Sequence, residues 1–247
     1  MTELAPFSGK SLVRTAIDAI KDHIRTHQLR VGDALPGESF FAAKLGVSRA
    51  VMREAFGALA ALKQIDVANG RRAKVGALDG SVLAESLQHA ISTAQIGMAE
   101  VWDVRRTIEM RTAALAAENA SSDQRQRIID LAEAMAKDDA PHDATTEDDI
   151  AFHLAIAEAS GNALFFKIVA SFVPLMRIAV PLAWKTRKSA QEQQDTLDRH
   201  RKLARAIADR NPADAETWMA SHFDKAIGAS LDAIEREVGA ARDSQPG

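Results

Sequence analysis

Residues 29–75 contain two short segments of helical apolar pattern on either side of a glycine, followed by a hairpin pattern, and this order restricts the fold strongly. Pro36 suits the first turn of a helix, where its missing N–H is no loss, and Gly46 suits the left-handed residue that ends a helix. Ser48 can cap the next helix by accepting hydrogen bonds from the backbone N–H groups of its first turn. The sequence therefore predicts a helix, a tight turn and a second helix.

The second helix is expected to have two chemically different faces. Arg49 and Arg53 lie one turn apart on the outer face. The inner face is formed by small and branched apolar residues: Val47, Val51, Ala55 and Leu59. A helix that follows a sharp turn in this way can place its side chains in the major groove of DNA. Arginine suits that task because its planar fork pairs with two phosphate oxygens, or with O6 and N7 of guanine.

A basic hairpin is predicted after the second helix. Two short strands are indicated by Ile65, Val67, Ala73 and Val75, and Asn69-Gly70 favours a tight turn between them. Arg49 or Arg53 alone would be interpreted as a solvated surface charge, but helix, turn, helix and hairpin in this order predict a winged helix-turn-helix that binds double-stranded DNA. The expected contact residues are Ser39, Lys44, Ser48, Arg49, Arg53, Gly70, Arg71 and Arg72.

The charge distribution agrees with a DNA-binding N-terminal domain. Residues 1–76 contain 12 Lys+Arg and 7 Asp+Glu, whereas residues 77–247 contain 19 Lys+Arg and 27 Asp+Glu. The net charge of −3 is therefore the sum of a basic N-terminal part and an acidic remainder. Only residues 1–76 are therefore expected to approach a phosphate backbone.

The N-terminal domain resembles the winged helix-turn-helix of the GntR family of bacterial transcription regulators. The family string L-P-S-E-R appears as Leu35 to Ser39, and G-V-S-R-x-x-V-R-E-A-L appears as Gly46 to Phe56. Three positions depart from the family: Ser39 replaces a DNA-contacting Arg, Lys63 replaces the Gly that ends the recognition helix, and Arg72 replaces a Gly of the wing. The resemblance implies an operator-binding protein with an unusual operator preference.

Length and composition favour an ordinary globular chain of one large or two moderate domains. The absence of cysteine excludes disulfides and thiolate metal sites, and no stretch of signal-peptide character precedes the first helix, so we expect a cytoplasmic protein. Residues 165–184 are apolar enough to suggest a membrane segment, but they include Lys167, Pro174, Arg177 and Pro181. A buried, kinked helix and no membrane contact are expected there.

The sequence predicts a mainly α protein with two domains. The winged domain covers residues 1–76, and a Gly-containing linker covers residues 77–81. Residues 82–235 show alanine-rich helical periodicity in about six segments, which indicates an all-helical bundle, and residues 236–247 are a predicted tail. The breaks between helices are expected near Gly97, Ser121-Ser122, Pro141, Gly161-Asn162, Ser189 and Asn211-Pro212.

The helical domain contains residues that can bind a metal ion. Asp149 and His153 are four residues apart and share a helix face, but such a pair is more often a surface hydrogen bond. His200 and His222 lie on later helices, where a polar histidine on a helix face is the ordinary interpretation. Three imidazoles and one carboxylate from three helices could nevertheless converge inside the bundle and leave open positions on a transition metal.

Residues 82–235 resemble the helical effector domain called FCD, which belongs to the FadR subgroup of GntR regulators. The pattern D-x-x-F-H, then E/R-H, then a final H, is met by Asp149, Phe152, His153, His200 and His222. The resemblance implies that Asp149, His153, His200 and His222 bind a divalent transition metal, with zinc expected first and nickel, manganese or iron as alternatives. It further implies that the open positions of the metal bind a small organic acid.

Three residues are expected to contact that acid. Arg105, in the family string R-x-x-I-E, would clamp the carboxylate, although a surface salt bridge to Glu109 is an equal alternative. Asn162, in the string S-G-N, could add a hydrogen bond. Arg177 interrupts an apolar helix, where a buried charge needs a partner or an anionic ligand. Trp184 could line the same pocket, although a simple core role is the preferred interpretation.

The resulting hypothesis is a homodimeric, non-enzymatic repressor that an organic acid releases from a near-palindromic operator. The resemblance suggests sugar acids, hydroxy acids or dicarboxylates as effectors. Two alternatives remain open at this point. A metal with an open position could activate water in a hydrolase, and some relatives of the fold sense acyl thioesters without a metal.

Overall fold

The computed structural model describes residues 11–68, 71–135, 142–185 and 189–227, with the backbone alone at residues 142–145 and 225–227. The chain divides after Val82 into two compact units. The first contains α1 (Leu12–Thr26), α2 (Glu38–Leu45), α3 (Arg49–Ala61), β1 (Ile65–Asp66) and β2 (Lys74–Val75). The second contains α4 (Ser81–Ser92), α5 (Met98–Asn119), α6 (Ser122–Ala134), α7 (His142–Ala159), α8 (Ala163–Ser171), α9 (Val173–Lys185), α10 (Ala190–Ala208) and α11 (Pro212–Ile227).

The helix-turn-helix forms where the local signals predict it. Gly46 ends α2 with φ +65°, and the Ser48 hydroxyl accepts a hydrogen bond from the Val51 N–H at 3.3 Å at the start of α3. The prediction that Pro36 lies in the first turn of a helix is wrong. Helix α2 begins at Glu38, and Gly37 is its N-cap residue. The three helices enclose an apolar core that includes Ile20, Leu35, Phe41, Met52, Leu59 and Ile65.

The helix α3 ends at an unusual residue. Lys63 has φ +56°, and its N–H donates to the Ala60 carbonyl while the Gln64 N–H donates to the Leu59 carbonyl. This is the paired hydrogen-bond pattern of a left-handed helix terminus, which glycine usually occupies because it has no Cβ. A lysine therefore holds a strained backbone conformation at the position where the family has glycine.

The hairpin is antiparallel, with Ile65 opposite Val75 and Asp66 opposite Lys74. It is shorter than predicted, since Val67 lies outside β1 and is 55% exposed. Residues 32–35 add hydrogen bonds along β2, including Leu35 N–H to the Ala73 carbonyl at 2.8 Å, which the sequence pattern did not predict. Asn69 and Gly70 lie outside the described residues.

The second unit is a bundle in which α5 packs against α7 and α11, and α10 packs against α6 and α11. Five of the six predicted breaks occur as expected, with Ser121, Asn162 and Ser189 capping the next helix; Pro141 lies outside the described residues. One break was missed, because residues 163–185 form two helices that meet at Phe172 instead of one kinked helix.

The membrane question concerns the same segment. Within the described residues, no single helix has the length and apolar composition needed to cross a membrane. Helices α8 and α9 reach that length and composition only as a pair, bent by 58° at their junction.

Candidate metal centre

The structure brings Asp149, His153, His200 and His222 together inside the second unit. Asp149 and His153 lie one turn apart on α7, His200 lies on α10 and His222 lies on α11. All four are buried, and one potential ligand atom from each lies within 4.8 Å of the others. The four side chains therefore converge from three helices, as the sequence predicts.

The orientation of His200 is fixed by its backbone partner. Its Nδ1 lies 2.9 Å from the Thr196 carbonyl, which can only accept, so Nδ1 carries the proton. In the neutral imidazole, Nε2 then has a lone pair that faces Asp149 Oδ1 at 3.0 Å. Two lone pairs at this distance repel each other unless a proton or a cation lies between them.

The orientation of His153 is fixed by Glu109 on α5. The Nδ1 atom of His153 donates to a Glu109 carboxylate oxygen, and the second oxygen accepts from Arg105 Nε at 2.9 Å. The Nε2 atom of His153 is buried and has no hydrogen-bond partner among the described residues. A carboxylate behind a metal-binding imidazole commonly sets the tautomer and the ring direction in this way.

The charges of the cluster suit a cation. Burial tends to raise the pKa of Asp149, but the close contact with His200 Nε2 and the charges of the surrounding histidines hold that pKa well below its usual range. Burial, followed by repulsion from His200 and His153, lowers the pKa of His222 well below the ordinary value. Burial lowers the pKa of His153, but Glu109 more than offsets this and the net shift is upward. The set thus offers an ionised carboxylate and imidazole nitrogens.

The donor set fits a transition metal in chemical terms. Neutral imidazoles and one carboxylate suit zinc, nickel, manganese or iron, and a metal ion would take the place of the proton of His153. The unpartnered Nε2 of His153 supports the fit, because a buried polar atom without a partner is costly in a protein that does not use it.

Arg105 lies beside the cluster and lines the same pocket, which is partly open to solvent. Its side chain is buried, and the guanidinium carbon lies 5.0 Å from the Trp102 ring centre and 5.3 Å from the Phe223 ring centre. Among its interactions with described residues, only Nε donates a hydrogen bond. The predicted salt bridge to Glu109 exists, but it is buried instead of lying on the surface.

Two predicted effector contacts lie elsewhere. Asn162 is exposed, and its side-chain oxygen accepts from the N–H groups of Leu164 and Phe165 as the cap of α8. The interpretation of Arg177 as a buried charge is wrong, because its side chain is 57% exposed and pairs with Glu147 at 2.8 Å. The apolar residues of α9 suggested burial, but Arg177 and Ile178 occupy its outer face.

Sequence reasoning missed several parts of the pocket. Trp184 lines it, although a simple core role was preferred. Glu109 was considered only as a surface partner of Arg105, whereas it also holds His153 from 44 residues away. Trp102 and Thr196 were not predicted. The sequence signal that could have indicated them is helical spacing, since Trp102 lies three residues before Arg105 and Thr196 lies four residues before His200.

The candidate DNA-binding residues lie on the surface of the first unit. Ser39 and Lys44 on α2, Arg49 and Arg53 on α3, and Arg71 and Arg72 beside the hairpin are all exposed. The Ser48 hydroxyl accepts a hydrogen bond as the cap of α3. Gly70 lies outside the described residues.

Two known families match the chain, one for each unit. Residues 12–75 match "Bacterial regulatory proteins, gntR family", and residues 100–225 match "FCD domain". The chain belongs to the GntR family. It is a ligand-responsive, DNA-binding transcriptional regulator of the FadR subgroup, with an FCD domain.

The relatives of this GntR regulator include proteins of both regulatory senses. It is 28% identical to the "HTH-type transcriptional regulator LutR" of Bacillus subtilis (strain 168) over 81% of this chain and 92% of that one. It is 29% identical to the "Glc operon transcriptional activator" of Escherichia coli (strain K12), covering 93% and 89%. The "HTH-type transcriptional repressor NanR" of Cronobacter sakazakii is 24% identical, covering 88% and 85%.

A solved structure shares the fold. The "Streptococcus agalactiae GntR" chain aligns with a TM-score of 0.65 at 23% identity, covering 91% of this chain and 99% of that one. The matched families and relatives are transcription regulators and not enzymes, so the hydrolase alternative is excluded.

Proposed function

We propose that this GntR regulator is a homodimeric repressor whose effector is a small organic acid held by a metal ion and Arg105. The observation that carries the proposal is the shared pocket, in which a buried Asp–His cluster and a buried guanidinium face the same space. A metal bound by Asp149, His153, His200 and His222 would supply a Lewis-acid position for an oxygen of the acid. Arg105 would then orient the carboxylate through the guanidinium nitrogens that Glu109 does not use.

The composition of the pocket supports an acid over an acyl thioester. Six of its ten lining residues are polar or ionisable: Arg105, Asp149, His153, Thr196, His200 and His222. A long acyl chain would desolvate these groups without pairing them, which is unfavourable. A carboxylate pairs with the guanidinium and the metal together. Sugar acids, hydroxy acids and dicarboxylates all carry the required group.

Release from DNA requires the acid to favour one arrangement of the DNA-binding units over another. A ligand that bound both arrangements equally would shift nothing, however tight its binding. Two-fold symmetry of a dimer would place two α3 helices on equivalent half-sites, so we expect a near-palindromic operator. Arg49, Arg53, Arg71 and Arg72 are the proposed contacts, and the relatives named above include both a repressor and an activator.

Elemental mass spectrometry tests the metal centre directly. Tag-free protein purified without chelator is expected to contain about one transition-metal ion per chain. Alanine variants of Asp149, His153, His200 and His222 are expected to lose it. His89→Ala is the matched control, because His89 is an exposed histidine on α4 of the same unit. Zinc is the expected metal.

Each outcome of this experiment decides one part of the proposal. Loss of metal from the four variants, but not from His89→Ala, supports the metal-held acid. A metal-free wild type, or full metal content in His153→Ala, would overturn the metal centre and leave the DNA-binding role unchanged. Binding of long-chain acyl thioesters by metal-free protein would replace the acid with the thioester alternative.

A further inference from the structure

Trp102, one of the residues that line the pocket, carries a buried hydrogen-bond donor that has no partner among the described residues. The residue lies on α5, is 94% buried, and lines the same space as Arg105 and the Asp–His cluster. Its indole Nε1 is buried and has no partner among the described residues. An indole N–H can only donate, and a buried tryptophan usually finds an acceptor for it.

The position of this donor is fixed by its neighbours. The Arg105 guanidinium lies over the Trp102 ring at 5.0 Å, and the Phe223 ring meets it at an angle of 63° with centres 5.3 Å apart. Trp102 and Arg105 are three residues apart, so they share one face of α5. The indole and the guanidinium are therefore presented together.

A donor that is both buried and without a partner among the described residues distinguishes Trp102 from the other two tryptophans. Trp218 is half-buried and stacks with Lys202, and Trp184 is half-buried with interactions of its own. Two further buried polar atoms lack partners in the described part of the chain, His153 Nε2 and Arg199 Nε. The first belongs to the metal cluster, and Arg199 does not line the pocket.

We infer that Trp102 is a specificity-determining residue, whose Nε1–H donates to an effector oxygen that neither the metal nor Arg105 holds. This inference rests on the proposed function, because it assumes an acid in this pocket. The Trp102 N–H would select among acids, since an unsubstituted alkanoate has only its carboxylate oxygens as acceptors. A hydroxy acid, a sugar acid or a second carboxylate supplies the additional acceptor. A site with a polar group that needs a partner rejects the ligand that lacks one.

The test compares matched pairs of acids that differ by one hydroxyl: propionate with lactate, and succinate with malate. Calorimetric titration into zinc-loaded protein gives the dissociation constant for each acid. Trp102→Phe keeps an aromatic ring beside Arg105 and removes the N–H. We expect it to weaken binding of the preferred hydroxy acid about tenfold, which equals 1.4 kcal/mol, and to change binding of its unsubstituted partner by less than about twofold.

Two controls separate the donor from the shape of the ring. Trp218→Phe removes a tryptophan outside the pocket and is expected to change no dissociation constant. Incorporation of benzothienylalanine in a Trp184→Phe, Trp218→Phe background replaces the Trp102 N–H by sulfur with nearly the same shape. Measured against the Trp184→Phe, Trp218→Phe parent, it should reproduce the effect that Trp102→Phe has on wild type. Zinc content should equal that of wild type in every variant.

The outcomes distinguish this inference from the proposed function. If wild type prefers neither hydroxylated acid, or if both Trp102 replacements weaken both members of a pair equally, Trp102 does not select by its donor. If the benzothienyl variant binds like its Trp184→Phe, Trp218→Phe parent, the ring shape alone matters and the inference is again overturned. If wild-type protein binds none of these four acids and no sugar acid, the organic-acid proposal fails together with this inference.

Discussion

The two units of this regulator place their candidate functional side chains in opposite environments. In the first unit, Arg49 and Arg53 project into solvent, and the core beneath them is apolar. In the second, Glu109, Asp149 and His153 lie inside the protein, each at most 6% exposed. Buried charges must be paired, so the groups that could bind a ligand also determine how well this unit folds. Binding and stability should therefore be separable in the first unit and coupled in the second.

The largest expected consequence is stabilisation of the second unit by metal. A metal that binds only the folded state adds about 4 kcal/mol at a thousand times its dissociation constant. In a unit of this size that corresponds to a rise of roughly 10 °C in melting temperature. Differential scanning calorimetry of chelator-treated protein, before and after addition of zinc, measures the rise. His153→Ala should show no such rise; an equal rise in this variant would contradict the coupling.

Glu109 tests how far the coupling extends beyond the proposed ligands. Glu109→Gln keeps the shape of the side chain but removes the charge that orients His153 and pairs with Arg105. Loss of such a supporting carboxylate is expected to weaken metal binding about 10- to 100-fold. Competition with a chromophoric zinc chelator gives the affinity. Glu118→Gln, at an exposed position of the same helix, is the control. Unchanged zinc affinity in Glu109→Gln would limit its role to the salt bridge.

Arg49 tests the opposite behaviour in the first unit. Arg49→Ala should weaken operator binding about tenfold, since a lost base or phosphate contact of arginine is worth about 1–3 kcal/mol. Melting temperature and metal content should be unchanged, because the side chain lies outside the core. Fluorescence anisotropy with operator DNA measures the affinity. Arg127→Ala removes the same charge from an exposed site in the second unit. An equal loss of DNA affinity in both variants would indicate a net-charge effect alone.

The elements that sequence predicts well are those set by neighbouring residues. Ser48, Ser121 and Ser189 cap helices because a hydroxyl reaches a backbone N–H three residues ahead. The break at Phe172 has no such capping side chain, and Pro174 lies in the first turn of α9 instead of inside one continuous kinked helix. Local chemistry thus predicts helix ends where a cap exists, and misses an end that packing produces.

The site follows the same rule. The spacing of Asp149 and His153 predicts a shared helix face, but periodicity alone could not bring His200 and His222 to it. That expectation depended on the resemblance to the FCD domain. The bridge from Glu109 to His153 joins residues 44 positions apart, and no local pattern indicates it. The prediction that Arg177 is buried was wrong because apolar neighbours in the sequence do not show which side of a helix is buried.

The smallest expected effect is again in the first unit, and it arises from the backbone. Lys63 holds a left-handed conformation at the end of α3, which costs an L-residue about 1 kcal/mol relative to glycine. Lys63→Gly should therefore stabilise this unit by up to about 1 kcal/mol, or roughly 4–8 °C in melting temperature. Lys63→Ala keeps the Cβ and removes the charge, so it should give no such gain. Equal melting temperatures for the two variants would show that the strain is absent. Lys63 is exposed, and within the described part of the chain the turn is held by backbone hydrogen bonds. A gain in Lys63→Gly with unchanged zinc content would therefore show that the stability of this unit can change without any effect on the metal centre.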